Sequence, residues 1–389
     1  MTIYETDAQY PIRMNIPKLL LLLLIVLQNA YSEKLSKNDL VQVRFFIQEE
    51  KYDEVMHFLQ NHQDSEALDQ VIGLLSQYEY GDNGTNQEIE EAASPRNEIA
   101  GQLAHLVQVK AVEGNTFLQF ILSQFYRIGV GVERDNRLFL QWLYTSAANG
   151  NRNAQNHLGC CYQKGTYLDK NIAAAVHWFI RAAEQREPNA CYNLGCCYTE
   201  GEGVPQDLSK ALSYYTIAAE QGDALAQNRL GVLYFEGKVT KKDTAAAVRW
   251  FTRAAELGEP NACYNLGCCY AEGEGVPQDF SKALRYYTIA AEQGLALAQN
   301  DLGLLYLDWK WTKEDMAEAV HWFIRAAELG EPNACYNLGY CYAEGEGVPQ
   351  DFLKALHFYT VAAQQGDADA KEEVELIQQR LEQEPGIRR

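Results

Sequence analysis

A repeat of 36 residues dominates this chain and constrains its fold more than any other feature. The pair Leu-Gly recurs at a constant step, a tyrosine follows each glycine after three residues, and every unit carries an Ala-Ala pair. With a degenerate first copy at Leu122-Ser123, seven units fill residues 118–369. A repeat of this length marks a small supersecondary unit that buries its core only by stacking on its neighbours. The leucines of the six regular pairs are Leu158, Leu194, Leu230, Leu266, Leu302 and Leu338.

The pattern within each unit predicts two helices. In the third unit Ala190, Leu194 and Tyr198 lie four residues apart, on one stripe of a first helix. Residues 201–205 (GEGVP) then interrupt the helix with two glycines and a proline. Asp207 follows as the N-cap of a second helix, in which the Ala-Ala pair lies near the end. The unit is therefore a helix–turn–helix.

Small residues recur where the two helices of a unit must approach closely, as at Gly195 and in the Ala-Ala pairs. We therefore predict an all-α fold, a right-handed α-solenoid of about seven 36-residue helix–turn–helix repeats. Residues 33–96 read as a helical N-terminal region and linker, and 97–117 as a helix that leads into the array. Residues 370–389 read as a polar capping helix and tail, because Glu375 replaces the Leu-Gly glycine.

The repeat pattern resembles that of a known family. The motif A-x-x-x-L-G-x-x-Y-x-x-G-x-G-V-x-x-D-x-x-K-A, followed by A-A-E-x-G, is similar to the Sel-1-like repeat, a relative of the tetratricopeptide repeat. Residues 262–294 (ACYNLGCCYAEGEGVPQDFSKALRYYTIAAEQG) match it almost throughout. The resemblance implies a noncatalytic adaptor that organises protein complexes. Members act in bacterial host interaction, envelope assembly and endoplasmic-reticulum quality control.

An apolar run near the N-terminus predicts export. Leu19–Leu27 comprises nine apolar residues after Lys18, too few for the roughly 20 of a membrane span. The run fits the core of a signal peptide over residues 1–32, with translation starting at Met1 or at Met14. We therefore expect a periplasmic or secreted protein. The alternatives are an apolar N-terminal helix, or the endoplasmic-reticulum lumen, where Asn83-Gly84-Thr85 would be a glycosylation acceptor.

The charge balance restricts the partners. The chain has 53 Asp and Glu against 33 Lys and Arg, a formal net charge of −20. A surface this acidic repels phosphate backbones, so we expect no nucleic acid among the partners. Proteins or peptides are the expected partners, with no transmembrane span and no cofactor.

The ten cysteines suggest packing rather than chemistry. All lie in first helices, and Cys191 and Cys196 point about 140° apart on one helix, which prevents a disulfide between them. We predict small, mostly packed, unbridged thiols. The alternative is a metal site formed by His157, Cys160 and Cys161 at positions i, i+3 and i+4. No fourth ligand is visible in the sequence.

Enzymatic functions find little support. The loop Gly201-Glu202-Gly203 resembles a phosphate cradle only superficially, because its glutamate repels phosphate and it joins two helices. Some relatives are described as envelope hydrolases or β-lactam-binding proteins, but no Ser–Lys, Ser–His or carboxylate pattern favours that activity here. The sequence predicts that the chain is not an enzyme.

Two sets of residues are candidates for partner binding. In the sixth unit, Trp309 and Trp311 replace both loop glycines, and tryptophan is enriched in binding hot spots. The second set occupies the position before each Leu-Gly pair, where an asparagine ladder can hold a peptide backbone. The alternatives are packing of the rings over helix ends and an ordinary solvated face. The second set is His157, Asn193, Arg229, Asn265, Asp301 and Asn337.

Overall fold

The computed structural model describes residues 104–383, except 106, 130, 240, 310 and 311. The described residues contain helices and turns and no β-strand, which confirms the predicted all-α repeat fold. None of the described helices is both long and apolar enough to cross a membrane. The predicted signal peptide (1–32), the N-terminal region and linker (33–96) and Trp311 lie outside the described residues.

The chain divides into two compact units between Asp207 and Leu208. In the first unit, residues 107–112 are helical, within the segment predicted to lead into the array, and a turn separates them from α1. The labelled helices of this unit are α1 (Thr116–Ile128), α2 (Asn136–Ala148), α3 (Arg152–Lys164), α4 (Ile172–Glu184) and α5 (Pro188–Glu200).

The second unit continues the same alternation of first and second helices. It ends in one unpaired helix, α15, at the place where the sequence predicts a cap. The helices are α6 (Leu208–Glu220), α7 (Ala224–Glu236), α8 (Thr244–Glu256), α9 (Pro260–Glu272), α10 (Phe280–Glu292), α11 (Ala296–Trp309), α12 (Lys313–Glu328), α13 (Pro332–Glu344), α14 (Phe352–Gln364) and α15 (Ala368–Gln383).

A glycine packed against an aromatic ring holds the two helices of a repeat together. A Cβ added to Gly231 in α7 would lie 2.5 Å from the ring of Phe251 in α8, closer than real Cβ atoms come. The same contact joins four other pairs. They are Gly159 with Phe179, Gly267 with Tyr287, Gly303 with Phe323, and Gly339 with Tyr359. The glycine is required for close approach, as the sequence predicted, and in these five pairs its partner is a ring.

The first repeat keeps the contact in a different form. Ser123 takes the place of the glycine, and Leu143 takes the place of the ring, 36 residues before Phe179. Both side chains are fully buried. A larger residue on the first helix is thus accompanied by a smaller one on the second, as expected for a site that tolerates volume-conserving changes best.

Capping side chains set the helix ends. Second helices begin at Asp243, Asp279 and Asp351, whose carboxylates accept backbone N–H groups of the first turn. First helices end at a glycine in the left-handed conformation, such as Gly273 with φ +74°. At the C-terminal end, Ile377 and Leu381 of α15 are buried in one cluster with α14 residues, so α15 covers the last repeat.

The glycine–ring contact yields a stability prediction. Gly231→Ser forces a Cβ into the ring of Phe251, and Phe251→Leu leaves a gap, so each should destabilise the protein by about 1–3 kcal/mol. The double variant restores the Ser–Leu combination of the first repeat. It should lose at least about 0.5 kcal/mol less than the two single losses together, measured by urea unfolding. Additive losses would show that the two sites do not share space.

Candidate functional site

The six residues before the Leu-Gly pairs lie in the middle of first helices, each beside a buried leucine. His157 and Asn193 belong to the first unit. The other four lie on α7, α9, α11 and α13 of the second unit and are Arg229, Asn265, Asp301 and Asn337. The structure separates these residues into two classes that the sequence did not distinguish.

The three asparagines join neighbouring repeats. The Asn265 Nδ2 atom donates to Asn228 Oδ1 over 3.0 Å, and Asn265 is only 1% exposed. The equivalent bonds are Asn193 to Asn156 at 3.0 Å and Asn337 to Asn300 at 2.8 Å. Each bond spans 37 residues. The amides thus contribute to the interface between repeats, and their predicted role in holding a peptide backbone stays a prediction.

The acceptors of these bonds were missed by the sequence analysis. The acceptors are Asn156, Asn228 and Asn300, which recur every 72 residues. Each directly precedes one of the candidate binding residues, which are His157, Arg229 and Asp301. That period was the available signal, because the asparagine donors Asn193, Asn265 and Asn337 recur at the same step. Only the folded chain shows that the two sets meet.

His157 is held by polar and aromatic neighbours. Its Nδ1 atom lies 3.2 Å from Gln124 Nε2, and its ring packs against Phe120 and Phe139. Burial, and then the charges of Arg127 and Lys164, lower the pKa of His157 to about 3. The neutral ring therefore accepts the Gln124 hydrogen bond at Nδ1.

Arg229 introduces a positive charge at a half-buried position. Burial lowers its pKa, and the charge of Glu259 opposes that effect. Glu259 is itself buried and caps α9 by accepting the backbone N–H of Ala262. Burial raises the pKa of Glu259, while its hydrogen bonds and the charge of Arg229 act in the opposite direction.

Asp301 lies in a polar cluster that the sequence did not predict. Tyr264 donates its hydroxyl hydrogen to Asp301 Oδ2 at 2.9 Å, and Asn300 Nδ2 donates to Oδ1 at 3.1 Å. Beside them, the Tyr287 hydroxyl donates to Cys268 Sγ at 3.4 Å. Burial raises the pKa of Asp301, with the charges of Glu331 and Glu272 adding to the effect.

Trp309 occupies a different place from the one predicted. Trp309 is the last residue of α11. The equivalent position after α9 is Gly273, which ends that helix in the left-handed conformation. Without that glycine, α11 runs one residue further than α9, and α12 begins early behind its N-cap Thr312. Three residues, 310–312, join these helices, compared with seven, 273–279, between α9 and α10. Trp309 therefore extends a helix instead of lying in a loop.

The cysteines behave as packing residues. No disulfide joins any of the ten, all of which lie in the described part of the chain, as the sequence predicted. Burial raises the pKa of Cys161 to about 11 and of Cys269 to about 12, so both are thiols at neutral pH. Among the described residues, no three His, Cys, Asp or Glu side chains come together as a metal site, His157, Cys160 and Cys161 included.

The low pKa of His157 predicts a pH dependence. The unfolded chain binds a proton at this residue near pH 6.5, and the folded chain only near pH 3. The free energy of unfolding therefore decreases, because of this residue, as the pH falls from about 6.5 towards 3. We expect His157→Asn, which installs the residue found at position 193, to remove this contribution. As the pH is lowered from 7 to 4, the free energy of unfolding of the variant should increase relative to that of the unmodified protein, measured by urea titration. A difference that stays constant with pH would contradict the low pKa of His157.

Comparison with known proteins identifies the repeat. A family model for the Sel1 repeat matches seven consecutive segments. They are residues 118–151, 152–186, 188–223, 224–259, 260–295, 296–331 and 332–367. A search among curated proteins finds no match.

Solved structures of Sel1 proteins are similar to this chain. A Sel1 repeat protein from Oxalobacter formigenes is 28% identical, with a TM-score of 0.56, over 83% of this chain and 90% of that one. A protective antigen of uropathogenic Escherichia coli with an SLR fold is also 28% identical, with a TM-score of 0.48, over 72% and 68% of the two chains. With seven matched repeats across most of its length, the chain belongs to the Sel1 repeat family, whose repeats mediate protein interactions.

Proposed function

We propose that this chain is a noncatalytic adaptor that binds proteins or peptides through its first helices and through the segment that begins at Trp309. The observation that carries the proposal is the contrast within one repeated position. The flanking leucines, such as Leu230 and Leu302, are invariant and buried, whereas the position itself holds histidine, arginine or aspartate in alternate repeats. Packing alone does not call for such chemical variety.

The binding residues divide by role. Asn193, Asn265 and Asn337 hold the repeats in register through their hydrogen bonds to the preceding repeat. Arg229 and Asp301 are half-buried and place opposite charges on alternate first helices of the second unit. Partly desolvated charges discriminate strongly between partners, because an unmatched one is costly to cover. We assign specificity to these two residues.

A noncatalytic role agrees with the state of the nucleophiles. The buried thiols of Cys197 and Cys341 have pKa values raised to about 12, mainly by burial. Such thiols are poor nucleophiles at neutral pH, since the thiolate is the reactive form. His157, with a pKa near 3, is a weak base. These residues serve packing better than chemistry.

Quantitative affinity capture with the full chain tests the proposed surface. Arg229→Glu should reduce recovery of specific partners at least tenfold, because it reverses a partly desolvated charge. In the same experiment, Trp309→Gly with Trp311→Gly should weaken binding by about 2 kcal/mol or more. Arg253→Glu is the matched control, since Arg253 is exposed on α8 and covers the ring of Trp250 at 4.8 Å.

The result separates binding from folding. Equal capture by Arg229→Glu and Arg253→Glu would remove Arg229 from the binding surface. If the double tryptophan variant unfolds at lower temperature while its folded fraction binds normally, the rings are packing residues.

We further propose that the adaptor is exported, to the periplasm or out of the cell. The support is the apolar run Leu19–Leu27 with small residues at Ala30 and Ser32. The mature protein should then begin near Glu33. Mass spectrometry of protein recovered from outside the cytoplasm checks this, and an intact mass that still includes Met14 would contradict cleavage.

A further inference from the structure

A buried glutamine near the start of several first helices connects each of them to the helix that precedes it. Gln155 Nε2 donates to the carbonyl oxygen of Ala147 at 3.0 Å, and Gln119 Nε2 donates to that of Ala111 at the same distance. Gln227 and Gln299 repeat the bond, to Ala219 at 3.0 Å and to Ala291 at 2.9 Å. The glutamine amide therefore has the same pose each time.

In the first unit the other end of this amide is also bonded. Gln155 Oε1 accepts from Gln185 Nε2 at 2.8 Å, and Gln119 Oε1 accepts from Asn149 Nδ2 at 3.0 Å. Both donors are C-cap residues, Gln185 of α4 and Asn149 of α2. Each lies 30 residues after its glutamine. The C-cap side chain thus completes the hydrogen bonding of the buried amide.

In the second unit that donor is missing. The C-cap residues 30 positions after Gln227 and Gln299 are Leu257 and Leu329. Gln227 and Gln299 are 5% and 1% exposed, and their Oε1 atoms have no hydrogen-bond partner among the described residues. A buried acceptor without a donor destabilises the folded chain, because it has lost its hydrogen bonds to water. Leucine at the C-cap therefore leaves a buried glutamine oxygen without its hydrogen-bond donor at two places, 72 residues apart.

The same two leucines are unusually exposed. Leu257 is 58% and Leu329 57% exposed, among the most exposed large apolar side chains of the described residues. Glu256 and Glu328 precede them and are exposed as well. Each position thus combines an apolar side chain, an acceptor that lacks a donor and a negative charge.

We propose that these two positions are docking points for arginine side chains of a basic partner protein. Arginine matches all three features, because its methylene stem packs on an apolar side chain while its guanidinium offers five N–H donors. One donor would reach Gln227 or Gln299 Oε1 as the leucine rotates aside, and others would meet the adjacent glutamate. The formal net charge of −20 favours the approach of such a partner. The inference rests on the proposed adaptor function and specifies its partner.

Binding of an acetylated hexa-arginine peptide to the full chain, measured by calorimetry, tests the inference. Leu257→Gln with Leu329→Gln supplies the donor that Gln185 supplies to Gln155 and leaves the charge unchanged. It should raise the melting temperature and weaken peptide binding about tenfold. Leu225→Gln with Leu376→Gln is the matched control, because it replaces two other exposed leucines. The control should bind like the unmodified chain.

The inference fails if both double variants bind the peptide as tightly as the unmodified chain. It also fails if the Leu257 and Leu329 variant loses self-association in sedimentation runs without losing peptide affinity, since a second copy is then the occupant. Loss of protein partners by Arg229→Glu alongside failure of the leucine test would remove this inference and leave the adaptor function standing.

Discussion

The contact between a glycine on a first helix and a ring on the following second helix determines how closely the two helices of a repeat can lie. At Gly231 the ring of Phe251 occupies the space that a Cβ would need, and four other described repeats show the same arrangement. The contact lies near the middle of both helices, so it limits how far apart they lie at that point. The Ala-Ala pairs also allow the two helices to lie close together. The capping aspartates and the glycines at the ends of first helices set where each helix begins and ends.

Polar side chains then decide how one repeat joins the next. The asparagine pairs, such as Asn228 with Asn265, join every second repeat boundary, and Tyr264 with Asp301 joins the boundary between the fifth and sixth repeats. This alternation explains the 72-residue period in physical terms, since a donor on one helix must meet an acceptor on its neighbour. Duplicating a pair of repeats copies both partners together, whereas duplicating a single repeat would separate them.

Hydrogen bonding of the buried glutamine amides differs between the repeats. The Gln155 amide is hydrogen-bonded through both its nitrogen and its oxygen, so its role is structural. Where Leu257 and Leu329 stand in place of the donor, a buried acceptor lacks its hydrogen bond and an apolar side chain is exposed. Natural proteins depart from such local rules mainly at functional positions. Arg229 and Asp301, charged and half-buried, are departures of the same kind on the first helices.

The sequence by itself determined the repeat, its register, the two helices of each unit and the positions that require small residues, because these depend on spacings within a single unit. It also predicted unbridged cysteines from helical geometry. Only the tertiary structure decided which first-helix residues bond to a neighbouring repeat, since the partner of Asn265 lies 37 residues away. It likewise decided that Trp309 is helical, because the missing glycine removes the left-handed stop and lets α11 continue.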